Sequence, residues 1–203
     1  MPDDIIVICT ANVARSPLFA ARLQLSADAV HGAGALTVSS GGTTAIFGQP
    51  AAPGSVALAA QWGVDLTDHR SRPLPYLDLD AAALIIVMTR AHRREVVRHA
   101  PDSARRIHLL RPLVRAAPDA LRAAGRPGGA PGASTQPSDP ATSVLEEGVG
   151  ALNAIGAPRA RRRDDVPDPL RGDAAVYDTL GEEFVRAASS LGPVLFGRPG
   201  PGA

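Results

Sequence analysis

A cysteine, an arginine and a serine near the start of the chain have types and a spacing suited to phosphate chemistry. Cys9 is the only cysteine, and Arg15 and Ser16 follow it after five intervening residues. A thiolate can attack phosphorus, a planar guanidinium can hold two phosphate oxygens, and a hydroxyl can donate a hydrogen bond to the sulfur. The pattern predicts a phosphate-binding loop made of Cys9, Thr10, Ala11, Asn12, Val13, Ala14, Arg15 and Ser16.

The sequence on either side of this loop favours the same chemistry. Residues 5–8 form a short β-branched run without alternation, which is typical of a strand buried on both faces of a parallel sheet. Pro17 opens an apolar helical pattern that continues to about residue 27. Backbone N–H groups at such a strand-to-helix junction can bind an anion, and the helix start favours a thiolate over a thiol. We therefore predict that Cys9 is a nucleophile rather than a small buried hydrophobic residue.

A second catalytic group is needed, because the oxygen that leaves phosphorus must be protonated and a carboxylic acid is the usual donor. Asp168 precedes Pro169 in the turn-rich segment 165–172, just ahead of an amphipathic helix predicted over 174–191. An aspartate in a turn is, taken alone, more often structural than catalytic. A loop at this place can nevertheless reach the active edge of the sheet, which makes Asp168 a candidate for the proton donor.

Strand-like runs alternate with helical patterns, which indicates an α/β fold built from parallel βαβ units. Strand patterns cover residues 5–8, 36–39, 82–88 and 106–110, and helix patterns cover 17–27, 53–62, 90–99 and 144–155. We predict one domain over 1–196, with a Pro/Gly-rich insertion at about 116–163 and a disordered tail at 197–203. Within that insertion, eight of the sixteen residues 125–140 are Gly or Pro.

Composition limits the partners. The 203 residues carry 21 basic and 20 acidic side chains, so neither nucleic acid nor a membrane surface is expected as a partner.

The start of the chain lacks a signal-peptide pattern, and the longest later apolar run is far shorter than the roughly 20 residues of a membrane span. A soluble cytoplasmic protein is expected. One cysteine offers neither an intramolecular disulfide nor a metal cluster.

The chain resembles the low-molecular-weight protein tyrosine phosphatases. The resemblance rests on residues 9–17 and on Asp168-Pro169 with Gly172, and it continues through four further motifs. These motifs are Ser40-Gly41-Gly42-Thr43, Gly48-Gln49-Pro50, Asp68-His69-Arg70 and Val87-Met88-Thr89-Arg90. The likeness covers most of the chain except the Pro/Gly-rich insertion and the tail.

The resemblance implies a single α/β domain whose four-stranded parallel sheet is flanked by helices, with a phosphate-binding loop after the first strand. It implies Cys9 as nucleophile, Arg15 as phosphate clamp and Asp168 as general acid and then base. It also implies a hydrogen-bond network of Asn12, Ser40 and His69 that supports the loop. The substrate is then a phosphorylated protein or a small phosphomonoester, the product is inorganic phosphate, and neither a metal nor another cofactor takes part.

The loop departs from the family pattern at two positions. Ala11 stands where the family usually has glycine, which predicts strain if that residue needs a positive φ. Ala14 replaces the family's second loop cysteine, so Cys9 should lack a disulfide partner that rescues it from oxidation. The same absence argues against a thiol-cascade arsenate reductase.

Three functions stay open. The pocket walls are predicted to be Ile46, Phe47 and Leu170, and apolar walls favour the phenyl ring of phosphotyrosine. A family branch that dephosphorylates arginine resembles this chain too, but it has threonine where Val13 stands. The leading prediction is a protein phosphotyrosine phosphatase acting through a cysteinyl-phosphate intermediate. The alternatives are a protein-arginine phosphatase and a catalytically silent module that binds phosphate or a phosphoprotein.

Overall fold

The computed structural model describes residues 4–124, 139–156 and 158–197. Within these ranges four parallel strands form one sheet: β1 (Ile5–Cys9), β2 (Val38–Gly42), β3 (Leu84–Val87) and β4 (Ile107–Leu109). Their spatial order is β2-β1-β3-β4, which places β1 between two neighbours and leaves β4 at an edge. The predicted α/β fold with a four-stranded parallel sheet is confirmed.

Helices cover both faces of the sheet. They are α1 (Arg15–His31), α2 (Pro53–Gln61), α3 (Arg90–His99), α4 (Leu110–Ala124), α5 (Pro140–Ile155) and α6 (Ala174–Leu195). Short 3₁₀ helices cover Leu74–Tyr76, Pro101–Arg106 and Arg162–Asp164. Within the described ranges no helix, including the 22-residue α6, is long and apolar enough to cross a membrane.

The alternation of β1 side chains separates two parts of the core. Ile5 and Val7 belong to an apolar cluster that includes side chains of α1, α2, α4, α5 and α6. Ile6 and Ile8 belong to a second cluster, which includes side chains of α3 and of the segment before β3. All five residues of β1 are buried. This burial on both faces explains why the strand is a continuous apolar run.

The predicted insertion at about 116–163 is too wide, because most of it belongs to two packed helices. Helix α4 was not predicted, and Pro118 stands in its interior, where proline is disfavoured. Its Ala116, Ala117 and Ala120 are nevertheless buried against the rest of the core. The Pro/Gly-rich residues 125–138 lie outside the described residues, as does the predicted tail from residue 198 onward.

Several other boundaries shift by a few residues. The helix predicted over 90–99 has the same bounds in the structure, but the strand predicted over 36–39 is found at Val38–Gly42. Helix α1 ends four residues later than predicted, next to Gly32, which has a φ of 85°. Glycine adopts this left-handed conformation without a steric penalty, so the helix can end there.

Helices α5 and α6 approach each other closely at Gly148. A Cβ atom at this position would overlap the backbone carbonyl of Val194 in α6. Gly150, two residues further along α5, is exposed and has open space around its Cα. The two glycines therefore share a helix but differ in what a methyl group would meet.

We predict that Gly148→Ala destabilises the protein by about 1–3 kcal/mol, because overpacking at a backbone contact forces the helices apart. Gly150→Ala is the matched control and should stabilise the protein by up to about 1 kcal/mol, since alanine favours the helix. Urea unfolding followed by circular dichroism measures both. Equal effects of the two substitutions would contradict the close packing of α5 on α6.

Candidate active site

The predicted loop connects the end of β1 to the start of α1 at the carboxyl edge of the sheet. Cys9 is the last residue of β1 and Arg15 is the first of α1, so residues 10–14 make the whole connection. The cysteine is buried, with 2% of its surface exposed. In open parallel sheets this edge is where ligands bind, because loops from several strands meet there.

Most loop carbonyls point away from the centre of the loop. Those of Cys9, Thr10 and Val13 accept hydrogen bonds from the N–H groups of Thr43, Thr44 and Ala52 at 2.9, 3.0 and 2.7 Å. In a planar trans peptide the N–H group points opposite to the carbonyl. The N–H groups that follow these carbonyls belong to Thr10, Ala11 and Ala14. They therefore point towards the centre of the loop. Such convergent N–H groups can bind an anion.

Gly42 lets β2 pass close to the loop. A Cβ atom at residue 42 would stand 2.5 Å from the carbonyl oxygen of Thr10 and 2.9 Å from the backbone nitrogen of Asn12. A larger residue would therefore push the loop out of shape.

Asn12 is the centre of the loop's hydrogen-bond network. Its Nδ2 donates to the hydroxyls of Ser16 and Ser40 at 2.9 and 2.8 Å. Its Oδ1 accepts from the backbone N–H of Arg72 at 2.8 Å, and its carbonyl is 2.7 Å from Nε2 of His69. The structure thus brings Asn12, Ser40 and His69 together and adds Arg72, which the sequence analysis missed.

The backbone strain lies at Asn12 and not at Ala11. Among the described residues, Asn12 is the only non-glycine residue with a positive φ, at 56°. The sequence-based concern about Ala11 was therefore misplaced. Asparagine tolerates the left-handed region better than most residues, and here its side chain is fully buried and bonded.

The sulfur of Cys9 lies 3.0 Å from the hydroxyl oxygen of Ser16. That hydroxyl accepts a hydrogen bond from Asn12 and lies 3.1 Å from the carbonyl of Gly41, to which it can donate. A thiolate can only accept, so ionisation of Cys9 makes Ser16 the donor to sulfur. Ser16 can therefore stabilise negative charge on the sulfur.

Arg15 connects the loop to the far end of the chain. One terminal nitrogen donates to the carbonyl of Val166 at 3.0 Å, and the other donates to the hydroxyl of Thr10 at 3.1 Å and to Oδ2 of Asp168 at 3.0 Å. The Arg15 side chain is 5% exposed and that of Asp168 is 46% exposed. Nε of Arg15 is buried without a hydrogen-bond partner among the described residues. This nitrogen can donate to an oxygen of an anion.

Ion pairs hold the segment that leads to Asp168. Asp164 is buried and pairs with Arg115 at 2.7 Å, which lowers the pKa of the Asp164 carboxyl to about 2. Asp165 pairs with Arg90 of α3 at 3.1 Å. These contacts tie residues 164–166 to α3 and α4 and so position the loop that carries Asp168.

His92 is a buried member of the site that the sequence analysis did not identify. Its Nε2 lies 2.9 Å from the hydroxyl of Thr10, the same hydroxyl that accepts from Arg15. Burial, and then the charge of Arg15, lower the pKa of His92 to about 4. His92 follows closely after the end of β3, and this position at the carboxyl edge of the sheet was the signal available in the sequence.

The predicted pocket walls lie on surface loops. Ile46 and Phe47 are 67% and 62% exposed and follow β2, and Leu170 is 46% exposed and follows Asp168. The ring of Phe47 lies 4.9 Å from that of Tyr76, which is also exposed and was not predicted. Exposed aromatic side chains in contact are suited to binding another aromatic ring.

Across residues 4–124, 139–156 and 158–197, no group of three or more His, Cys, Asp or Glu side chains could hold a metal ion.

Comparisons of sequence relate this chain to known proteins. A family model described as low molecular weight phosphotyrosine protein phosphatase matches residues 4–123. A probable low molecular weight protein-tyrosine-phosphatase, EpsP of Ralstonia solanacearum, is 35% identical over 102 residues, which is 50% of this chain and 66% of that relative. The chain thus spans less than two thirds of the length of the Ralstonia relatives that it matches.

Solved structures share the fold. YwlE arginine phosphatase from Geobacillus stearothermophilus has a TM-score of 0.62 at 22% identity, over 94% of this chain and 91% of that one. Wzb from Vibrio vulnificus in complex with benzylphosphonate has a TM-score of 0.62 at 20% identity, over 95% of this chain and 96% of that one. At these identities the structures establish the fold alone.

We predict that protonation of His92 makes the protein less stable in acid. The pKa of His92 falls from 6.5 to about 4 on folding, so between these values the unfolded chain binds a proton that the folded chain excludes. The contribution of His92 to stability is fully present above its unfolded-state pKa of 6.5. It is lost as the pH falls towards the folded-state pKa of about 4. Between about pH 7 and about pH 5 this group should remove about 2 kcal/mol from the free energy of unfolding.

Urea unfolding of wild type and His92→Gln at both pH values measures this difference. The free energy of unfolding should change between the two pH values by about 2 kcal/mol less in His92→Gln than in the wild type. His99→Gln, at an exposed histidine in the last turn of α3, is the control and should behave as the wild type does. An unchanged pH dependence in His92→Gln would show that His92 is not kept neutral by the fold.

Proposed function

The chain belongs to the low molecular weight phosphotyrosine protein phosphatase family, and from this membership we propose that it hydrolyses protein phosphotyrosine through a phosphocysteine at Cys9. The family match bears out the resemblance found in the sequence. The proposal assigns Cys9 as nucleophile, Arg15 as phosphate clamp and Asp168 as general acid and base. It assigns phosphate binding to the N–H groups of residues 10–16.

In the first step the Cys9 thiolate attacks phosphorus from the base of the loop. A sulfur–phosphorus bond forms as the phosphorus–oxygen bond to the tyrosine breaks, and Asp168 gives its proton to the departing phenolate oxygen. Arg15 and the loop N–H groups donate hydrogen bonds to the equatorial oxygens, whose charge spreads in the transition state.

In the second step a water molecule replaces the sulfur. Asp168, now a carboxylate, takes a proton from the water as its oxygen attacks phosphorus. The sulfur–phosphorus bond breaks and its electron pair returns to Cys9 as thiolate, which Ser16 stabilises by its hydrogen bond. Inorganic phosphate leaves, and Asp168 is protonated for the next turnover.

The observation that carries this proposal is the 3.0 Å contact between Arg15 and Asp168. It joins two groups that are 153 residues apart in the chain, and both are assigned to the same reaction. A module that merely binds phosphate gains nothing from a carboxylate beside its clamp, because like charges repel. The contact therefore favours an enzyme over the silent binding module.

Phosphotyrosine is favoured over phosphoarginine by the groups around the loop. The exposed pair of Phe47 and Tyr76 suits a phenyl ring. Val13 adds an apolar β-branched side chain in the loop, where the arginine-specific branch has threonine. A protein-arginine phosphatase remains the second candidate because YwlE arginine phosphatase shares the fold.

We predict that Cys9→Ser abolishes turnover of a phosphotyrosine peptide without added metal, because an unionised hydroxyl is a poor nucleophile. The variant should still bind vanadate or phosphate, since the loop N–H groups and Arg15 remain. Release of inorganic phosphate measures turnover. Activity comparable to wild type in Cys9→Ser would disprove the thiolate mechanism.

We predict that Asp168→Asn slows hydrolysis of the same peptide by about 10²–10⁴-fold, because the leaving phenolate is no longer protonated. The loss should be smaller for p-nitrophenyl phosphate, whose leaving group is more acidic and needs less protonation. Asp173→Asn is the matched control, five residues further on; Asp173 caps α6, and asparagine caps a helix equally well. Equal losses on both substrates would assign Asp168 to binding instead.

We predict that replacing Phe47 and Tyr76 by alanine lowers kcat/KM for phosphotyrosine peptides by about tenfold, as expected from losing an aromatic contact. Inhibition by inorganic phosphate should be unchanged, because phosphate contacts the loop alone. Ile155→Ala, at an exposed apolar residue at the end of α5, is the control. A larger loss on phosphoarginine than on phosphotyrosine peptides would support the second candidate.

A further inference from the structure

A cleft of about 970 Å³ runs along the edge strand β4. Its walls come from α3, from the C-terminal end of α5 and from residues 158–160, and β4 lies at its base. In the sheet, β3 separates β4 from β1, whose last residue is Cys9. The cleft is therefore a surface distinct from the catalytic loop.

The cleft concentrates positive charge. Of the described residues that line it, five are arginines and none is Asp or Glu. These are Arg90, Arg93, Arg94, Arg105 and Arg159. The whole chain has a formal charge of only +1, so this is a local excess. Such a concave surface attracts anions and raises their local concentration.

The arginines differ in how they are held. Arg90 pairs with Asp165, and Arg93 donates to the carbonyls of Ile107 and Ala104 at 3.3 Å. Arg94, Arg105 and Arg159 are exposed, and within the described part of the chain no carboxylate pairs with them. Their guanidinium groups are thus available to an external partner.

The base of the cleft is neutral and partly apolar. His108 is buried, its Nε2 lies 2.9 Å from Oδ1 of Asn153, and burial lowers its pKa. Ile107, Leu109 and Pro112 supply apolar lining. Apolar surface next to free guanidinium groups suits a segment that carries carboxylates and small apolar side chains together.

We propose that this cleft binds an acidic peptide segment of a partner protein. Each guanidinium can hold a carboxylate with two parallel hydrogen bonds, and the three free arginines come from three separate parts of the chain around one groove. No aromatic residue stands among the described lining residues, which disfavours single-stranded nucleic acid because its bases need stacking partners.

The segments of this sequence that lie outside the described ranges do not match an acidic peptide. Outside the described ranges the printed sequence has a single acidic side chain, Asp3. Residues 125–138 and 198–203 contain neither Asp nor Glu, so they offer no carboxylate side chain to the arginines.

Fluorescence anisotropy tests the proposal with the wild-type chain and a labelled peptide of about ten residues, half of them Glu and the rest Ala and Pro. We expect saturable binding that weakens at high salt, because exposed charges are screened. The same peptide with Gln for Glu should bind at least about tenfold more weakly. The measurement uses no phosphate transfer, so its outcome is independent of the proposed phosphatase activity.

Substitutions locate the binding surface. Arg94→Gln with Arg105→Gln should weaken peptide binding by about tenfold or more, because two charge-assisted contacts are lost. Arg122→Gln with Arg186→Gln is the matched control, since it removes the same charge at exposed sites outside the cleft. All four arginines are on the surface, so the variants should unfold thermally as the wild type does.

The proposal fails if the Glu and Gln peptides bind equally, if the control variant loses as much affinity as the cleft variant, or if no binding occurs. It also fails if a single-stranded oligonucleotide of the same net charge binds more tightly than the peptide. The proposal is supported if the wild type binds the Glu peptide more tightly than the Gln peptide, and if only the cleft variant loses affinity for the Glu peptide.

Discussion

The loop that is proposed to bind phosphate depends on one buried asparagine, Asn12. Asn12 takes a left-handed backbone conformation, and its side chain and carbonyl bond to residues of β2, of α1 and of the loop around residue 70. Without these bonds the strain at Asn12 would be unopposed, and the loop could relax. The backbone N–H groups of residues 43, 44 and 52 also bind carbonyls of the loop and hold them outward. These hydrogen bonds help to keep the loop in the conformation that directs its own N–H groups inward.

A second set of contacts brings the end of the chain to its beginning. Arg15 contacts both Val166 and Asp168, and the preceding Asp164 and Asp165 pair with Arg115 and Arg90. The ion pair of Asp164 is buried on the carboxylate side, so breaking it would leave a buried carboxylate without its charged partner. The segment before Asp168 is therefore firmly anchored, while the side chain of Asp168 itself is 46% exposed to solvent.

Helices α4, α5 and α6 support this arrangement from one face of the sheet. They pack on each other, α6 also packs on α1, and Gly148 allows α5 to approach the backbone of α6. Arg111 and Arg115 of α4 bind Glu183 and Asp164, so the same helix contributes to the core and to the placement of the acidic loop. The first turns of α4, which come just before the predicted insertion, thus help to position the site.

The sequence alone determined the local features whose physics is contained in a few neighbouring residues. A continuous apolar run, a cysteine-to-arginine spacing and a helix-opening proline were sufficient for β1, the loop and α1, and α3 was predicted to the residue. Tertiary structure decided what depends on distant partners. Helix α4 forms despite Pro118 in its interior because its buried side chains pack on the core, and His92 joins the loop because β3 lies beside β1. The arginine cleft is likewise assembled from separate segments, and no local pattern records which of them meet in space.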